Sequence, residues 1–197
     1  MKEKVRVKGD HLKSKRYKLP NKIDTNPADK RQLKYMKSLG LTIPPDLSRS
    51  DAEALINREL DDDCGASGDL KCYAKAKEIL YSEYIGSKQL YNLLFDNLCK
   101  EDKTAFFCFC VYTFYHKGES ENLLSHEKRE LFEAFGREYE NHFYFQTSLE
   151  EYTGEECMAF GKSTRTLEDG RTEVIYGGSI YGEAYKLAYA YLEKHLS

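Results

Sequence analysis

The segment Thr104–Tyr115, TAFFCFCVYTFY, constrains the fold more than any other stretch. It carries no formal charge and is apolar on every side of a helix, so it has no face to offer to water and must run through the centre of a larger body. It is too short to cross a bilayer, which takes roughly 20 apolar residues. Other amphipathic elements therefore have to wrap it.

The surrounding sequence supplies them. Helices are expected at about 70–84 and, capped by Ser87, at about 88–99, where Leu90, Leu94 and Leu98 recur on one face. Ser125 can cap a further helix carrying Leu131, Phe132, Phe135 and Tyr139, and Ala184, Leu187, Ala188, Tyr191 and Leu192 mark a closing helix. The strong strand signal is Thr164–Glu168 and Arg171–Tyr176 around Asp169-Gly170, the pattern of a hairpin with a D-G turn. The expected fold is mainly α, a small N-terminal helix-loop-helix plus a larger helical domain with one β-hairpin. No internal repeat is visible in the sequence.

Ahead of that body the chain is punctuated differently. Residues 1–25 have few large apolar side chains and read as a basic, flexible arm. Asn26 suits an N-cap and Pro27 the first helical position, Leu33, Met36 and Leu39 form the apolar face of helix one, and Gly40 provides a left-handed cap. Pro44 and Pro45 impose an extended path, after which Ser50 and Glu53 read as a capping box for a second helix with Ala52, Leu55, Ile56 and Leu60. The acidic, glycine-containing stretch at 61–69 reads as a linker. This divides the chain into an arm at 1–25, a helix-loop-helix at 26–60, a linker at 61–69 and a helical domain at 70–197 with its hairpin at 164–176.

Charge follows the same division. Residues 1–37 hold 13 Lys and Arg against four acids, a surplus of nine, so with an overall charge of -3 the remainder carries -12. A basic arm ahead of an acidic body is an electrostatic footprint for a polyanion, because each Lys or Arg near a nucleic-acid backbone displaces condensed counterions. The alternatives are a solvated tail, a tail that folds back on its own acidic body, and an acidic protein partner.

The stretch at 31–60 contains Leu-Gly-Leu at 39–41 closing helix one, a proline-containing extension, Arg49 ahead of helix two, and Ala-Leu-Ile-Asn-Arg-Glu-Leu ending at Leu60. In these features it resembles the SAP-like helix-extension-helix module, a two-helix DNA-binding unit. It departs from that family in having Pro-Pro-Asp-Leu-Ser-Arg where a Gly and a Lys usually precede helix two. The resemblance implies that Lys30, Arg31, Lys34 and Lys37 on helix one, with Arg49, neutralise phosphates and position the protein without reading sequence. Lys13, Lys15, Arg16 and Lys18 of the arm complete the expected nucleic-acid-binding set.

Little points to catalysis. Cys108 and Cys110 at i and i+2 diverge on a helix and read as core thiols, and Cys64 and Cys72 lack the C-x-x-C spacing of a zinc site. His116, His126 and His142 have no neighbour in sequence that marks a nucleophile, base or acid. No metal, cofactor or enzyme activity is expected. Six unevenly spaced cysteines, no apolar run of membrane-spanning length and an opening MKEKVRVKGD without a signal-peptide core give a cytoplasmic expectation.

The favoured function is a non-catalytic nucleic-acid-binding accessory protein, with the basic module on DNA or RNA and the acidic helical domain on a protein partner. The alternatives are a phage or mobile-element inhibitor of the anti-CRISPR type, binding a host nucleic-acid enzyme through its acidic body, and a small enzyme with a pocket in 142–182.

Overall fold

The computed structural model describes residues 22–116, 122–158, 160 and 180–196, together with the backbone of 162–166 and 172–176. Among the described residues nine α-helices and two strands follow one another as α1 (Lys30–Ser38), α2 (Arg49–Leu60), α3 (Gly68–Ala76), α4 (Ser87–Asn97), α5 (Lys100–Tyr115), α6 (Arg129–Tyr139), α7 (Phe143–Leu149), α8 (Gly154–Met158), β1 (Lys162–Thr166), β2 (Thr172–Tyr176) and α9 (Glu183–Leu196). The expected mainly helical class holds. The strands pair antiparallel, from Lys162 opposite Tyr176 to Thr166 opposite Thr172. The expected turn at Asp169-Gly170 lies outside the described residues.

Helix α5 is the axis of the body, as a run without a polar face has to be. Every residue from Thr104 to Tyr112 is buried. Helices α6, α8 and α9 pack around it. Phe107 sits at the centre of a ring cluster, edge-on to Phe145 at 5.8 Å, Tyr152 at 5.0 Å and Phe160 at 5.5 Å between centroids, the offset geometry that aromatic quadrupoles favour. Helices α7 and α8 have no counterpart in the sequence expectation. Gly154 admits α8 to α4, because a Cβ there would lie 2.1 Å from the Tyr91 carbonyl oxygen.

The first four helices are two copies of one unit, which corrects the expectation of no internal repeat. From the start of α1 at Lys30 to that of α3 at Gly68, and from α2 at Arg49 to α4 at Ser87, the shift is 38 residues in each case. The irregular backbone between helices repeats at the same shift. Pro27 bridges Ser48 antiparallel, and Gly65 bridges Gly86. Ala28 N donates to Leu47 O at 2.8 Å and Ala66 N to Ile85 O at 3.0 Å; Arg49 N donates to Asn26 O at 2.8 Å and Ser87 N to Cys64 O at 2.9 Å. Both first helices end alike, with Leu41 N on Met36 O and Ile79 N on Ala74 O, each at 3.0 Å. Gly40 at φ +74° and Glu78 at φ +56° make the left-handed step, which costs a glycine little and a glutamate more.

That bridge explains where helix starts differ from expectation. The backbone at Asn26 and Ala28 is tied to the entrance of α2, so helix α1 begins later, at a two-sided capping box of Asp29 with Gln32. For the same reason Ser48, rather than Ser50, caps α2 by accepting from Asp51 N, and Ser50 Oγ accepts from Asp24 N instead. Gly86 is the N-cap of α4, with Ser87 Oγ turned to Gly65 O. Ser125 falls in a short 3-10 turn, and α6 starts only at Arg129.

The copies differ in what they pack against. The first keeps a small core of its own, Met36, Leu47, Ala52 and Ile56. The second contributes Leu70, Tyr73, Leu90 and Leu94 to the main core around α5. Polar contacts join them: Ser82 Oγ donates to Asp51 Oδ1 at 2.6 Å, Lys88 N donates to the buried Asp63 carboxylate at 3.0 Å, and Arg58 Nη1 donates to Tyr84 O at 3.4 Å. The segment from Asp61 to Ser67 is thus held against residues 85–88 by specific bonds.

Candidate nucleic-acid interface

Helix α1 gathers the cations that the charge division points to. Its core stripe holds Met36, fully buried, with Leu33 beside it. That stripe turns Lys30, Lys34 and Lys37, at i, i+4 and i+7, onto one exposed line. Arg31, Tyr35 and Ser38 form the neighbouring line, also exposed, with Tyr35 at 45%. Among the described residues none of the four α1 cations is ion-paired with a carboxylate.

Arg49 is placed differently. It stands at the start of α2 beside the start of α1, since Gln32 Nε2 donates to the Arg49 carbonyl at 3.0 Å. Its guanidinium lies 3.7 Å from the Asp24 carboxylate. Hydrogen bonds from Asn26 hold the Asp24 carboxyl below the ordinary carboxylate value, helped by Arg49. Asp29 is held low in the same way, first by the Gln32 backbone N–H. Both remain anionic at neutral pH, and Asp24 pairs with Arg49. Asp29 also occupies the N–H groups of Arg31 and Gln32, so the α1 N-terminus offers side chains and not bare N–H groups.

Lys13, Lys15, Arg16 and Lys18 lie outside the described residues. Of the expected set, α1 brings four onto one face and Arg49 to its N-terminal end. Sequence reasoning missed Tyr35, an aromatic at the edge of that face. No signal in the local sequence separates it from a core tyrosine.

Two of the three histidines considered for catalysis accept local backbone hydrogen bonds. His142 Nδ1 accepts from Phe145 N as the cap of α7, and His126 Nδ1 accepts from Lys128 N. Burial pushes the Cys108 and Cys110 thiols up, which suppresses the thiolate. A hollow of about 280 Å³ is lined by Tyr112, Tyr115, His116, Tyr189 and Glu193; the expected pocket at 142–182 falls partly outside the described residues. Among the described residues no group of three His, Cys, Asp or Glu is placed to hold a metal ion, and no helix is long and apolar enough to cross a membrane. Compared with protein-family models, curated proteins and solved structures, the chain matches none.

Proposed function

We propose that the protein is a non-catalytic nucleic-acid-binding accessory factor, holding phosphates on the α1 face and engaging a protein partner through its acidic body. One observation carries the reading. The second copy of the unit folds with Gly68, Asp69, Cys72 and Lys75 at the positions where the first has Lys30, Arg31, Lys34 and Lys37. The unit therefore folds with a cation at only one of these four positions, Lys75, and the full set in the first copy supports a role outside folding. Electrophoretic shift assays over a salt series, comparing the full chain with a variant in which the four α1 cations are Ala, test it. Binding that weakens steeply with salt and is lost in the variant is expected; salt-insensitive binding, or none, overturns it.

The protein-partner half has support of its own. Phe143 and Tyr144, adjacent on α7, are 72% and 70% exposed and follow Glu138 and Glu140 in the chain. Solvent-facing aromatics beside acids suit a partner with a basic surface. This also supports the second reading, an inhibitor that seats its acidic body on a host nucleic-acid enzyme. Capture of such an enzyme by the full chain, abolished by Phe143→Ser with Tyr144→Ser while α1 substitutions leave it intact, would favour inhibition over accessory binding.

A further inference from the structure

The two copies give an internal comparison for the aromatic at the edge of α1. Tyr35 and Tyr73 stand 38 residues apart at the same position of the unit, and they are among only five identities in the 35 aligned positions from Asn26 and Cys64. In the second copy the ring leaves its own helix pair and lies flat on Phe106 of α5, with centroids 5.3 Å apart and planes 10° from parallel. In the first copy no described ring stands opposite Tyr35, which remains 45% exposed. What surrounds it instead is charge. Arg31 lies four residues earlier on the same line, about 6 Å along the axis, and Lys34 and Lys37 occupy the next line.

We propose that this face takes a single-stranded nucleic acid, with the Tyr35 ring stacked on an unpaired base while Arg31, Lys34 and Lys37 hold the flanking phosphates. The inference rests on the phosphate-binding reading of α1 and narrows it to a substrate class. A ring that projects to stack face-to-face needs a flat partner. In a duplex the base faces are covered by their neighbours, and only edges and backbone are offered; a single strand exposes the faces, and stacking tolerates any sequence. An acidic protein segment would satisfy the cations but supplies no regular planar group for the ring.

The chain contains no Trp, so Tyr35→Trp in the full-length protein introduces one fluorophore at the position in question. The probes are an oligothymidylate, a blunt DNA duplex, inorganic polyphosphate and polyglutamate. Expected results are quenching of the indole by the oligothymidylate and not by polyphosphate. Tyr35→Ala should weaken the oligothymidylate roughly ten-fold or more and leave polyphosphate binding and the melting temperature unchanged. If Tyr35→Ala binds the oligothymidylate as tightly as the parent, with salt dependence intact, stacking is overturned while the phosphate reading stands. Failure of every polyanion to bind overturns both. Equal quenching by the duplex overturns the single-strand assignment, and Tyr35-dependent capture of polyglutamate without the oligonucleotide assigns the face to a protein instead.

Discussion

Tyr35 and Tyr73 occupy one position in two copies of the same helix pair, yet Tyr35 is 45% exposed and Tyr73 only 2%. The difference lies in α5, whose Phe106 stacks on the Tyr73 ring, while no described ring stands opposite Tyr35. Truncation should separate the two sharply. Tyr73→Ala removes a ring from the main core and should cost about 3–5 kcal/mol, whereas Tyr35→Ala should stay within about 0.5 kcal/mol of the parent. Urea denaturation of both variants measures it; equal losses would mean that the first copy is buried as deeply as the second.

Close approach of α8 to α4 makes a second contrast. A Cβ at Gly154 would meet the Tyr91 carbonyl oxygen at 2.1 Å and the Asn92 nitrogen at 2.5 Å, both backbone atoms that cannot swing aside. Gly154→Ala should therefore destabilise by about 1–3 kcal/mol or more. At Gly68, the first residue of α3, nothing lies within 4 Å of an added Cβ, and Gly68→Ala should be neutral or stabilise by up to about 1 kcal/mol. Thermal melts of the pair read the difference directly.

How much of this was legible in the sequence follows from what each feature depends on. The burial of α5 was legible because a run with no polar face has one solution. Gly40 was legible because its left-handed step is local. The caps at Asn26 and Ser50 were misplaced because the Pro27–Ser48 bridge, a contact between distant residues, decides where α1 and α2 begin. The repeat was hidden because backbone bonds carry it while side chains have diverged; even the core pattern has slipped, with Gln32 and Leu33 aligned with Leu70 and Lys71. Helix α7 was missed because Phe143 and Tyr144 face solvent, which blurs the apolar period. The α1 cations were legible as charge, but Tyr35 was not, since its exposure depends on what α5 covers.

Cysteine reactivity should divide evenly. Cys64, Cys72 and Cys99 are exposed, and Cys108, Cys110 and Cys157 are buried. An aromatic disulfide reagent under native conditions should modify three thiols quickly and the other three only on unfolding, because the buried sulfurs are not accessible and burial also pushes the Cys108 and Cys110 thiols up. A fast phase of six would show that the body around α5 opens readily.

The junction between the copies should respond to acid. Burial alone would raise the Asp51 carboxyl, but hydrogen bonds from Ser48 and Ser82 outweigh it and bring it below its ordinary 3.8. A depressed folded value contributes stability that is present above the unfolded value and is lost as pH falls through the folded one. Asp51→Asn should therefore lower the melting temperature at pH 7, and the gap to the parent should close as pH drops below about 3.8. A gap that stays constant from pH 7 to pH 3 would remove Asp51 ionisation from the junction.

Position 31 allows stability and binding to be driven in opposite directions. The second copy carries Asp69 in the first turn of α3, where Arg31 stands in α1. An acid there sits at the positive end of the helix dipole, a favourable placement of about 0.3–1 kcal/mol, and a cation is placed against it. Arg31→Asp should accordingly leave α1 as stable as before or slightly more so. The same change removes one phosphate contact and adds repulsion, so nucleic-acid affinity should fall and the slope of log K against log salt should shrink by roughly 0.7–0.9. A misfolded variant would lose stability and binding together, so a higher melting temperature with weaker, less salt-sensitive binding can come only from a surface charge that acts on an outside polyanion. If affinity and slope both stay at parental values, Arg31 makes no phosphate contact, and the basic face must be redrawn around Lys30, Lys34 and Lys37.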